Sequence, residues 1–165
     1  MEVLNEDIKK PVRSALLTVL CILTFIGSGW GLVKAIQNFA SADFAATTVN
    51  EAMEEAQSKL EEQNEVPSFV SKLFGSISEG LTPENIRKMS VFELISNALT
   101  LFGGILMWNL NRKGFWSYLI GIAILILAPM IIFHRGIIGL IASGAVGFFG
   151  VIFIVLYGVN LKQMK

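Results

Sequence analysis

Four apolar runs, each long enough to cross hydrocarbon, constrain this chain more than any other feature. They are residues 16–33 (LLTVLCILTFIGSGWGLV), 90–110 (SVFELISNALTLFGGILMWNL), 115–133 (FWSYLIGIAILILAPMIIF) and 137–159. A helix needs about 20 apolar residues to span a hydrocarbon core about 30 Å thick. In lipid every backbone polar group must be bonded internally, so each run must be helical. Charged residues make up 16% of the chain, against about a quarter in ordinary soluble domains. The expected fold is an all-α membrane protein of a single domain. Its four transmembrane helices fall at about 14–36, 90–110, 115–133 and 137–160, with residues 37–89 an outer amphipathic helical insertion between the first two. A cleaved signal peptide competes for the first run, but Ala40-Ser41-Ala42 lies too far beyond its apolar core for ordinary processing.

Residues 37–89 carry nine acids against four bases, a balance of −5. Ala45, Val49, Ala52, Met53, Ala56 and Leu60 share a helix face, with Thr48 and Glu51 spaced as a capping box. After Val66-Pro67, the residues Phe69, Val70, Leu73, Phe74 and Ile77 form one face of a second helix, suited to the membrane interface or to a partner. Thr82-Pro83-Glu84 then reads as an N-cap, an N1 proline and a first-turn acid of a short helix leading into the second span.

Short loops set orientation by their Lys and Arg content. Lys9, Lys10, Arg13, Arg112, Lys113, Lys162 and Lys165 gather on one side, and Lys34, Arg87, Lys88 and Arg135 on the other. Seven against four places both termini in the cytoplasm and the acidic insertion outside. Trp108, Trp116, Tyr118 and Tyr157 are expected as aromatic anchors at the cytoplasmic boundary, and Trp30 at the outer one.

Small and polar residues form narrow stripes on the spans. Ser14, Thr18, Cys21, Thr24 and Ser28 line the first; Ser90, Glu93, Asn97, Thr100 and Gly104 the second; Ser117, Gly121 and Ala128, more weakly, the third; Gly136, Gly139, Ser143, Gly147 and Gly150 the fourth. Such faces let backbones approach and hydroxyls bond across helices, which is what drives association in lipid. Gly27-x-x-x-Gly31 and Gly139-x-x-x-Ser143-x-x-x-Gly147 fit the small-xxx-small pattern, predicting an intramolecular four-helix bundle or, less strongly, an oligomer interface. Pro129 should bend or loosen the end of the third span.

Glu93 is the one acid within a span, and an intramembrane carboxylate raises an ion site or proton relay. Ser90 and Glu93 also have capping-box spacing, which would put the acid at a helix start near the interface. Asn97 is expected to bond a neighbouring helix, and Thr100 extends the same face. His134 is the sole histidine and sits in a tight turn. The acids Glu51, Glu54, Glu55, Glu61 and Glu62 lack EF-hand spacing and read as a solvated helix face. There is no Walker loop, no HExxH and a single cysteine, Cys21. No catalytic, cofactor or metal site is expected, and no nucleic-acid partner, since net charge is zero.

The segment Leu17–Leu32 after Pro11, and the turn Leu110-Asn111-Arg112-Lys113-Gly114-Phe115-Trp116 before an apolar run, resemble small multi-pass inner-membrane proteins of Bacteroidota. The resemblance implies a bacterial inner membrane and brings no active-site residue. Trp30-Gly31-Leu32 precedes a long outer loop as in claudin-like proteins, but the paired cysteines of that family are missing. Two functions remain. One is a non-enzymatic scaffold or accessory subunit within the lipid bilayer, in a homo-oligomer or larger membrane complex. The other is a small oligomeric ion channel or transporter using the Glu93, Asn97 and Thr100 face.

Overall fold

Ser14 starts the first helix. Its Oγ accepts the Leu17 N–H and its backbone is extended, the geometry of an N-cap. From there α1 (Ala15–Ala40) runs for 26 residues until Ser41, where α2 (Ala42–Glu61) begins almost without interruption. Then come α3 (Ser68–Gly80), α4 (Pro83–Trp108), α5 (Lys113–Ile132) and α6 (Ile137–Asn160), with a short 3-10 turn at Leu161–Gln163. This computed structural model describes residues 13–61, 68–133 and 137–165. Lys9, Lys10, Glu62, Val66-Pro67 and the turn of His134, Arg135 and Gly136 lie outside the described residues. No strand occurs among those described.

The helices α1, α4, α5 and α6 are long and apolar enough to cross a membrane. The chain is therefore a multi-pass, all-α membrane protein with helices α2 and α3 inserted between its first and second spans. The spans pack in a row: α1 against α4, α4 against α5, and α5 against α6. By contrast, α1 and α6 touch sparsely. At the end bearing the termini, Leu17, Leu20, Cys21, Met107, Tyr118, Ile122, Tyr157 and Met164 form one buried cluster. There the Leu110 carbonyl accepts the Lys165 N–H at 2.8 Å, and the Arg112 N–H reaches the Lys165 carbonyl at 2.9 Å. Leu110 takes a positive φ of 59° to make this turn. At the other end α2 packs on α4, helped by an Arg87–Asp43 ion pair of 2.6 Å, while α3 reaches α2 and α6.

Several sequence expectations change. Thr82 caps α4 as anticipated, accepting the Asn85 N–H. The helix that follows is not short but continues unbroken to Trp108. Ser90 therefore lies well inside it and donates to the Ile86 carbonyl, so Ser90 and Glu93 form no capping box. Thr48 likewise sits inside α2, donating to the Phe44 carbonyl, so Thr48–Glu51 is not a cap either. Both hydroxyls bond the carbonyl four residues back, which a helix already running through them makes available. Tyr118 and Tyr157 are core residues, 5% and 0% exposed, and not boundary anchors. Their rings pack edge to face with centroids 5.0 Å apart. Arg13 does not simply extend to water; its guanidinium lies over the Trp108 ring at 4.0 Å.

The closest approach in the row is α4 against α5. A Cβ on Gly103 would stand 2.7 Å from the Gly114 carbonyl oxygen and 2.8 Å from the Tyr118 nitrogen. Such contacts are with backbone and cannot yield cheaply. Gly103→Val should destabilise the protein by about 2 kcal/mol or more, in the range of core overpacking. Gly158→Ala, where nothing lies within 4 Å, should be nearly neutral. Thermal denaturation of the two variants in one detergent checks the contrast.

Candidate functional site

The polar residues of the spans converge on the inner seam between helices. On α1, Thr24 Oγ1 meets the Tyr157 hydroxyl of α6 at 2.7 Å, and Ser28 Oγ meets Thr100 Oγ1 of α4 at 2.8 Å. Thr100 Oγ1 also stands 3.0 Å from the Asn97 carbonyl. A hydroxyl has one proton to give, so when Thr100 donates to Asn97 it is Ser28 that donates to Thr100. Between α4 and α5, Ser96 donates to the Gly121 carbonyl at 2.6 Å and Ser117 to the Leu99 carbonyl at 2.9 Å. Between α5 and α6, Ser143 donates to the Ile126 carbonyl at 2.8 Å. At the terminal end Ser14 donates to Asn160 Oδ1 at 2.7 Å.

The stripe read from the second span divides. Thr100 and Gly104 are buried against α1, Gly104 beside Thr24 and Phe25. Among the described residues Asn97 bonds no neighbouring helix. Its Nδ2 donates to the Glu93 carbonyl of its own helix at 2.8 Å, and its carboxamide fills the space a Cβ on Gly31 would need. Glu93 is half-buried and faces Lys34 and Asn38 of α1. At about 1.5 Å per residue, Lys34 lies about 30 Å along α1 from Ser14. That distance is about the thickness of the hydrocarbon core. Glu93 is thus placed at the boundary by depth, in the third turn of a helix, and not by a cap.

The small residues of the fourth span behave as a packing face. Gly139 lies against the Pro129 carbonyl, Gly147 against Ile126 and Gly150 against Ile122. Gly31 is used in the same way, whereas Gly27 has nothing within 4 Å, so the pair is not one packing motif within the chain. Pro129 is tolerated inside α5, and the Phe133 N–H still bonds its carbonyl.

Outside the spans, Val70, Leu73, Phe74 and Ile77 of α3 are half-buried, while Phe69 stays 61% exposed. Phe44 at the start of α2 is 75% exposed. On α2, Ala42 and Ala46 are the buried residues; of the face read from sequence, Ala52 is exposed and the others half-buried.

One cavity joins the seam to the outside. It has a volume of about 450 Å³ and lies between α1 and α6, with Leu23, Gly27, Phe149 and Phe153 at its sides and Thr24, Ser28, Asn97, Thr100 and Tyr118 deeper in. Sequence reasoning missed Ser96, Tyr118, Tyr157 and Asn160 as seam residues. Ser96 lies to one side of the narrow arc of Glu93, Asn97 and Thr100, because α4 has two neighbours and needs a face for each. Among the described residues, no group of three or more His, Cys, Asp or Glu side chains could hold a metal ion.

Comparison of the chain with known protein families, with curated proteins and with solved structures gives no match to any of them.

Interhelical hydroxyl bonds in membranes contribute about 0.6 kcal/mol on average and up to about 1.7 kcal/mol. A double-mutant cycle on Ser28→Ala and Thr100→Val should give a coupling energy in that range in unfolding titrations. A coupling of zero would mean that the two hydroxyls do not act on each other.

Proposed function

We propose that the protein is a non-enzymatic integral membrane scaffold or accessory subunit. It sits in a bacterial inner membrane with both termini cytoplasmic and α2–α3 on the outer side, and works in a homo-oligomer or larger membrane complex. The observation that carries this reading is the exposure of two large aromatic side chains on the inserted segment. Phe44 and Phe69 stand mostly exposed on helices that belong to none of the four spans. A protein or lipid surface that covered these two rings would take them out of water, which is favourable. Val70, Leu73, Phe74 and Ile77 of the same helix are half-buried, and α3 makes a few contacts with α2 and α6. Further support comes from the seam, where the hydroxyls are bonded to one another, to Asn160 or to backbone, an arrangement suited to assembly. The orientation rests on the basic residues at the terminal end, and the inner-membrane location on the resemblance described above.

The channel or transporter reading draws less support. Thr100 is engaged by Ser28, Asn97 by its own helix, and Glu93 lies at a boundary facing Lys34. Glu93→Gln should therefore leave ion and proton flux in reconstituted vesicles unchanged, and a changed flux would favour the channel. For the accessory reading, replacing Phe69, Leu73 and Phe74 together with serine should abolish association with the partner. Mild-detergent purification and mass spectrometry of the full chain at native expression tests this. A stoichiometric partner, or a homo-oligomer, that survives the triple substitution would contradict it.

A further inference from the structure

The cavity between α1 and α6 has properties that the assembly reading does not use. It opens sideways, because α1 and α6 are held together at Thr24–Tyr157 and Ser14–Asn160 but make few contacts elsewhere. Its walls are Leu23, Leu125, Val146, Phe149 and Phe153, all apolar. It therefore opens onto hydrocarbon and carries no charged residue in its lining.

Its depth is also informative. On α1 the lining runs from Leu23 to Ser28, about 14 to 21 Å from Ser14 at about 1.5 Å per residue. Asn97 lies opposite Gly31, about 25 Å along the same helix. The cavity thus covers roughly one leaflet of a core about 30 Å thick, on the side of α2 and α3. The Thr24–Tyr157 bond closes it at mid-membrane. A spanning helix, about 10 Å across with its side chains, would need a groove open along the whole bilayer depth. A chain that ends at mid-bilayer does not.

Asn97 supplies a polar contact near the boundary end. One of its amide hydrogens is given to the Glu93 carbonyl. The second amide hydrogen and Oδ1 have no hydrogen-bond partner among the described residues, and the side chain lines the cavity. A carboxamide left with an open donor in hydrocarbon is costly, and an acceptor brought to it is favoured. The carbonyl of a lipid ester is the acceptor available at that depth.

We propose that the α1–α6 cavity binds one acyl chain of a glycerolipid from the leaflet on the α2–α3 side, with the free Asn97 amide hydrogen donated to the lipid's ester carbonyl. The volume of about 450 Å³ lies within the range of ligand sites, about 300 to 1,000 Å³. The site is independent of the partner surface on α3, and either can fail without the other.

The test uses the full chain in phosphatidylcholine nanodiscs doped with a phosphatidylcholine that carries a diazirine midway along one acyl chain. After irradiation, labelled residues are located by mass spectrometry. Labelling of Leu23, Phe149 and Phe153 should exceed that of the lipid-facing residues Ile26, Ile131 and Val155 by at least five-fold. Gly27→Phe should remove the excess, since Gly27 lines the cavity, a Cβ there meets nothing within 4 Å, and the ring would occupy the space the chain needs. Asn97→Leu should lower it several-fold. Equal labelling of both sets in the unmodified protein would mean ordinary surrounding lipid and overturn the proposal. So would an excess that persists in Gly27→Phe, or protection of the cavity by a second protein chain.

Discussion

Close approach of backbones inside hydrocarbon is the constraint on which the structure depends. Lipid tails are as apolar as leucine, so burying apolar side chains gives helices no reason to associate. What remains is dispersion between surfaces that fit and hydrogen bonds that no solvent competes for. Gly103 and Gly114 bring α4 and α5 together at the level of the main chain. Ser96 and Ser117 then bond carbonyls of the facing helix from that distance. The same combination recurs between α5 and α6, where Gly139 and Gly147 flank Ser143.

These devices are unevenly distributed, and the shape follows. Three consecutive helix pairs have extended seams, whereas α1 and α6 are joined chiefly through side chains in the half of the membrane that bears the termini. Tyr157 reaches Thr24 there, and Asn160 reaches Ser14. The aromatic and aliphatic cluster around Tyr118 and Tyr157 fills that end. Beyond it the row stays open, and α2 and α3 lie over the far end, one on α4 and the other on α6. The opening is the consequence of a short seam.

The spans and the class of fold were legible because hydrocarbon imposes length and apolarity on each helix separately. The stripe through Ser14, Thr24 and Ser28, and that through Gly139, Ser143 and Gly147, were legible for a similar reason: helical periodicity puts contact residues on one face. Pairing was not. Nothing local distinguishes Ser96, which bonds Gly121, from Ser90, which bonds its own helix. The start of α4 is not legible locally either. A good cap at Thr82 and a capping-box spacing at Ser90 compete locally, and the continuous helix from Pro83 decides between them. The tyrosines were placed at the boundary because their chain positions are there. Their length carries the rings inward, where Tyr157 finds a hydroxyl partner.

Helix α1 is seamed to α4 along its length and parted from α6 beyond Thr24. Disulfide trapping in native membranes tests it most directly, with Cys21→Ser removing the one native thiol. Ser28→Cys with Thr100→Cys replaces two oxygens 2.8 Å apart and should crosslink rapidly on mild oxidation. Gly27→Cys with Phe149→Cys, on opposite sides of the cavity, should remain reduced under the same conditions. Rapid crosslinking of the second pair would mean that α1 and α6 are closed on each other there, and failure of the first that α1 and α4 are not seamed.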